Sequence, residues 1–140
     1  MATFNKFNSF VTQLGLKQHD CNADPFYVFL TNELPLATDT TRADIADLTT
    51  GNGYTAGGAD SQNTASESPA GTLTCVGTDI VFTASGGSIG PFQYAVLYNQ
   101  VGGLGAGNKL IGWWNYGSSI TLNTGETFTV DFGASMFTVT

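Results

Sequence analysis

Three glycine patterns in this chain have the spacing of sites that hold phosphate or activate a nucleophile. Gly51, Gly53 and Ala56, in GNGYTAGG, satisfy the GxGxxA spacing of a dinucleotide loop, where glycines let backbone amides approach a pyrophosphate. Such a loop must follow a strand and open a helix, whereas LTT precedes this one and GGADSQ follows it. Gly102 and Gly107 precede Lys109 in a near-Walker arrangement, but Asn108 displaces the lysine and no Ser or Thr follows it to hold magnesium. That stretch reads as a hairpin loop. Gly86, Ser88 and Gly90 give GGSIG, the nucleophile-elbow pattern, yet Pro91 opens FQYAVLYN where the elbow needs a helix. A triad would also need His19, the only histidine, which lies about seventy residues upstream in a polar segment.

Metal chemistry is no better served, because a lone histidine and two separated cysteines do not make a zinc set. Asp39, Asp44 and Asp47 carry oxygen ligands suited to calcium but lack the tight alternation and glycine turn of a calcium loop, so they read as a solvated acidic face. Asp20, Asp24 and Glu33 read as surface or turn carboxylates. Cys21 and Cys75 have no CxxC spacing. They read as structural thiols in a reducing compartment, with a disulfide left open for surroundings that oxidise. No residue set points to a catalytic site, a metal or a cofactor.

Trp113 and Trp114 are adjacent in KLIGWWNY, and neighbours on a strand point to opposite faces. One indole then faces a core. The other is open to a protein contact, to helix packing or to a sugar.

The elements that must position these residues are mostly strands. In FNKFNSFVTQLGL the residues Phe4, Phe7, Phe10, Val11 and Leu14 recur at helical steps, which predicts one N-terminal amphipathic helix over about 3–15, with Thr3 as N-cap and Gly15 as stop. Its stripe must be buried, on the chain's own sheet or on a partner. From residue 26 the pattern is extended: FYVFLT, then TLTCV, DIVFTA, FQYAVLYN, KLIGWWNY, SSITL, TFTVDF and MFTVT, with one helical turn at most, in TRADIADL. TFTVDF alternates Phe128, Val130 and Phe132 with polar residues, the mark of a strand with one wet face. FQYAVLYN places Phe92, Tyr94, Val96 and Tyr98 on one face and Ala95 and Leu97 on the other, so both are covered. KLIGWWNY likewise sets Leu110 with Trp114 and Ile111 with Trp113, while Gly112 admits a close backbone. Seven or eight short strands with glycine-rich turns predict a mainly β chain, a jelly-roll-like β-sandwich in one domain over 1–140. Residues 49–71 hold a single large apolar residue, Tyr54, and read as a long extended glycine-rich arm.

The chain has 140 residues, a length that buries roughly two-thirds of the unfolded surface. Eleven acids against four bases give a formal charge of −7, which repels a phosphate backbone and argues against direct nucleic-acid binding. Only 11% of residues are charged, well below the roughly 25% of ordinary soluble domains, so little charge opposes self-association. No apolar run reaches the roughly 18 residues that span a bilayer, and MATFNKFNSF lacks the apolar stretch of a signal peptide. The expectation is a soluble protein made in a cytoplasm, without a membrane partner.

MATFNKFNSFV, FYVFLTNELPLATDT running into ADIADLTTGNGYTAGG, GGSIGPFQYAVLYN and LIGWWNYGSSITLNTGETFTVDF together resemble small virion structural proteins of tailed phages. Among these the chain is most similar to the capsid cement, or decoration, proteins of short-tailed, Bordetella-type phages. The resemblance covers most of the chain and is weakest over 59–78. It implies a small β-sandwich or jelly roll on the capsid exterior, without enzymatic activity, whose partners are the major capsid protein and further copies of itself as dimer or trimer. It also implies synthesis in the host cytoplasm. On that reading Phe4 and Phe7 of the helix, Tyr54 as anchor of the arm, and Trp113 and Trp114 are the candidate partner contacts. An alternative is a tail- or fibre-associated virion protein that binds a host surface sugar through exposed aromatics, and a third is a small hydrolase using Ser88.

Overall fold

The computed structural model describes residues 2–101 and 108–140. Gly102 and Gly107 of the near-Walker pattern lie outside them. The described chain is mainly β, with antiparallel sheets. In order it forms β1 (Phe4–Lys6), α1 (Asn8–Gly15), β2 (Phe26–Thr31), a 3₁₀ turn (Arg42–Asp44), β3 (Ala59–Asp60), β4 (Thr64–Glu67), β5 (Leu73–Val76), β6 (Ile80–Thr83), β7 (Ile89–Asn99), β8 (Lys109–Leu122), β9 (Thr127–Val130) and β10 (Phe137–Val139). One sheet has the order β1-β8-β7-β2-β3, a second β10-β5-β4, and β6 pairs with β9 alone.

The five-stranded sheet is buried on both faces, as its apolar residues require. Val28, Leu30, Ala95, Leu97 and Ile111 share one core with Cys75, Ile80, Phe82, Val130 and Phe137 of the smaller sheets. Phe7, Phe29, Ile45, Val96, Tyr98 and Leu110 form a second cluster on the opposite face.

Simple alternation fails twice along β7 and β8. Leu97 pairs with Gly112 and Tyr98 with Leu110, so Ile111 is an extra residue on β8. A bulge of this kind shifts the phase of a strand. Leu110 therefore shares its cluster with Trp113, while Ile111 shares the other with Trp114, the reverse of the pairing expected from period two. Farther along, Phe92 pairs with Ile120 and Tyr94 with Asn115, so one residue of β7 faces four of β8. Phe92 accordingly joins the core of Ala95 and Leu97 rather than that of Val96 and Tyr98.

The expected helix over 3–15 is shorter. Phe4–Lys6 is a strand on Gly112–Trp114, because Gly112 leaves room where a Cβ would strike the Phe4 ring and the Asn5 carbonyl. Phe7, not Thr3, is the N-cap residue, and α1 runs from Asn8 to Gly15. The stripe is split: Phe4 packs by Trp114 and Phe137, Phe7 by Trp113, Phe10 in the larger core, and Val11 is 55% exposed.

The expected arm over 49–71 folds back onto the sheet. Gly51 and Tyr54 exchange two backbone hydrogen bonds at 2.8 and 3.0 Å across Asn52 (φ 56°) and Gly53 (φ 93°), the positive-φ pair of a tight hairpin turn. Gly58 then lies against the backbone of Val28 at φ +76°, where a Cβ would overlap the Val28 carbonyl. Beyond it, β3 adds to β2 through Val28↔Ala59 and Tyr27↔Asp60, and β4 pairs with β5.

Candidate functional site

Tyr54 is 3% exposed and anchors the chain to itself. Its hydroxyl donates to an Asp47 carboxylate oxygen at 2.6 Å and accepts from the Leu30 amide at 3.0 Å, while its ring meets Phe82 at 5.5 Å. Burial, then the Asp47 charge, pushes this phenol far above its ordinary range. Asp47 also accepts from Arg42 at 2.7 Å and from the Gly57 amide at 2.5 Å, and the Arg42 guanidinium sits 5.8 Å from the ring centres of both Phe29 and Tyr98. Tyr98 donates to the Gly57 carbonyl at 2.7 Å. These bonds hold residues 51–58 down. Tyr54 and the wholly buried Phe7, both expected as partner contacts, are thus packed inside the chain.

The acidic residues have local uses. Asp44 accepts from the amides and hydroxyls of Thr40 and Thr41, and the amide bonds, Thr41 first, hold its carboxyl below the usual range. Asp39 accepts from the Leu36 amide at 2.8 Å. Asp47 is committed to the network above. Among the described residues no group of three or more His, Cys, Asp or Glu side chains is placed to hold a metal.

His19 is buried between Gln13 Oε1, 3.0 Å from Nε2, and Asn99 Nδ2, 3.1 Å from Nδ1. The amide can only donate, so Nδ1 accepts and Nε2 carries the proton. Burial lowers its pKa to about 4, against the opposing pull of Asp24 and with a small push from Lys109. Asn99 ends β7 and Ser88 immediately precedes its start, which separates His19 from Ser88 by roughly 30 Å at the rise of an extended strand. The hydrolase pair is not assembled.

Two of the expected contact residues come together at the surface. Trp114, 5.3 Å from Phe4, lies beside a groove of about 430 Å³ that runs between β7–β8 and β9. Trp114 lines it with Phe92, Tyr94, Tyr116, Phe128 and Val130, and Gln93, Thr129 and Asp131 supply polar groups. The rings brace one another: Phe128 packs edge-on to Phe92 at 4.9 Å and to Tyr116 at 5.6 Å. Trp113 points away, to Phe7 at 4.6 Å.

Tyr116 owes its position to the four-residue excursion of β8 between Asn115 and Ile120. The Asn115 side-chain oxygen accepts from the Gly117 amide at 2.8 Å and from Gln93 Nε2 at 3.1 Å, and Ser119 Oγ donates to Asn32 Oδ1 at 2.9 Å. These contacts fix the base of the excursion and leave Tyr116 56% exposed. Tyr116 has no mark in hydropathy or periodicity; its signal is NYGSS, turn chemistry inside an otherwise continuous strand.

No family model matches the chain, and no curated protein or solved structure matches it. No helix among the described residues is long and apolar enough to cross a membrane.

Proposed function

We propose that this chain is a non-enzymatic capsid cement protein of a tailed phage, which binds the outer shell and ties major capsid protein subunits together, with further copies of itself as a second partner. The observation that carries the reading is the braced aromatic groove with Tyr116 exposed at its edge. Tyrosine and tryptophan supply large contact area with few side-chain rotations to freeze, which suits them to protein interfaces. Supporting it are the sequence resemblance and the low charge density. The two cores on either face of the main sheet favour a β-sandwich of jelly-roll-like order, a rigid plate on which such a contact can be mounted. Many copies on one shell make modest contacts effective, because a subunit held at one site meets the next at high effective concentration. Mixing the protein with capsids that lack it, sedimenting them and counting bound copies is the test. Hundreds of copies and a raised shell melting temperature are expected; a handful or none would overturn the reading.

A second reading, a tail-associated protein that binds a host surface sugar, draws on the same groove. Trp114 and Tyr116 offer ring faces for a pyranose, and Gln93 and Asp131 offer partners for its hydroxyls. Saturable quenching of tryptophan fluorescence by a host glycan, with the protein located on the tail, would favour it over the capsid.

A further inference from the structure

Cys21 and Cys75, fifty-four positions apart in the sequence, are neighbours in the fold. Asn63 Nδ2 donates to the Cys21 carbonyl at 2.8 Å, and the Ala65 amide donates to Asn22 Oδ1 at 3.2 Å, which seats the loop before β2 on β4. Ala65 in turn lies opposite Cys75 across the β4–β5 pair. Both side chains belong to the larger core, both are free thiols, and each thiol perturbs the ionisation of the other. Their exposure differs: Cys75 is wholly enclosed, whereas Cys21 is 7% exposed and lines an open groove with Lys17, His19, Asp20 and Leu73.

We propose that Cys21 and Cys75 are an oxidisable pair that closes to an internal disulfide when the protein meets a small-molecule disulfide. Cys21, reached through the groove, attacks one sulfur of the reagent as thiolate and releases one small thiol, leaving a mixed disulfide on Cys21. Cys75 then attacks the Cys21 sulfur and expels the second small thiol. The protein loses two electrons and two protons, and the reagent takes them up as two thiols. The order of attack fits the influence of the two thiols on one another, which lowers the pKa of Cys21 and raises that of Cys75. The bond ties the loop before β2 to β5 and so fastens the second sheet to the first. The pair stays reduced in a reducing cytoplasm and closes outside it.

The test is incubation of the native full chain with glutathione disulfide, followed by intact mass, peptide mapping and thermal unfolding. Expected are a monomer lighter by two hydrogen atoms, one crosslinked peptide pair joining Cys21 to Cys75, and a melting temperature raised by about 10 °C, given the length of chain enclosed. Cys75→Ala should instead keep one glutathionyl group on Cys21. A wild-type chain that holds a glutathionyl group without crosslinking, or that crosslinks only between two copies, overturns the proposal. So does one that reacts only after unfolding, and each of these results is read from the wild-type chain alone.

Discussion

The Tyr54 hydroxyl and the Asp47 carboxylate meet at 2.6 Å beneath the hairpin turn at Asn52–Gly53, and this bond joins a stretch of chain with little else to bury to the face of the main sheet. Removing the oxygen while keeping the ring leaves the Leu30 amide and one oxygen of Asp47 without a partner. Tyr54→Phe should lower unfolding stability by about 2 kcal/mol, read from urea denaturation. Capsid binding by the folded variant should be unchanged, because the ring points inward.

Gly58 is irreplaceable for a steric reason. At φ +76° against the Val28 carbonyl, alanine must move the backbone on which β3 pairs with β2. Gly58→Ala should therefore cost about 3 kcal/mol or more, or fail to fold. Gly15→Ala, at the end of α1 with no atom near its would-be Cβ, should be neutral or stabilising by up to about 1 kcal/mol. Thermal melts of the two variants distinguish a tight site from an open one.

His19 sets an acid limit. Its pKa is about 4 in the folded chain against 6.5 for the free side chain, so between these values the unfolded chain binds the extra proton and the folded chain does not. Stability should accordingly fall as pH drops from 6.5 to 4 and lose nothing further from this group below that. The loss from it should be on the order of 2 kcal/mol once partial screening by solvent is allowed for. In His19→Gln the slope of stability against pH in that window should flatten.

On the proposed cement reading, Tyr116 separates binding from folding. More than half exposed on the β8 excursion, it contributes little to the core and is the most exposed ring at the groove. Tyr116→Ala should weaken capsid binding at least about tenfold and move the melting temperature by no more than about 2 °C. Sedimentation with capsids and calorimetry of the free protein read the two effects separately.

The wet outer face of β9, the buried central strand β7, the close approach permitted by Gly112 and the end of α1 at Gly15 were legible because each depends on residues next to one another in sequence. Face assignments beyond Ile111 were not, since one inserted residue inverts everything that follows and leaves no mark on composition. The segment 49–71 misleads for a different reason: it is secured by Tyr54 on Asp47, by polar side chains such as Asn52, Ser61 and Asn63, and by backbone bonds, none of which raises local hydropathy. Its Asn52–Gly53 pair did carry a hairpin signal. The groove was half visible, through Trp114. Phe128 and Tyr116 reach it from strands that only the fold brings together.

The β8 excursion is anchored at both ends to the same partner strand, by Tyr94↔Asn115 and Phe92↔Ile120. Lengthening a loop held in this way adds only a slowly growing entropy, and nothing in either core depends on its tip. A foreign peptide can thus be spliced in at Ser118 while Tyr116 on Phe128 and Ser119 on Asn32 keep the frame as it is. The exposed tip and the scaffold beneath it are open to change separately.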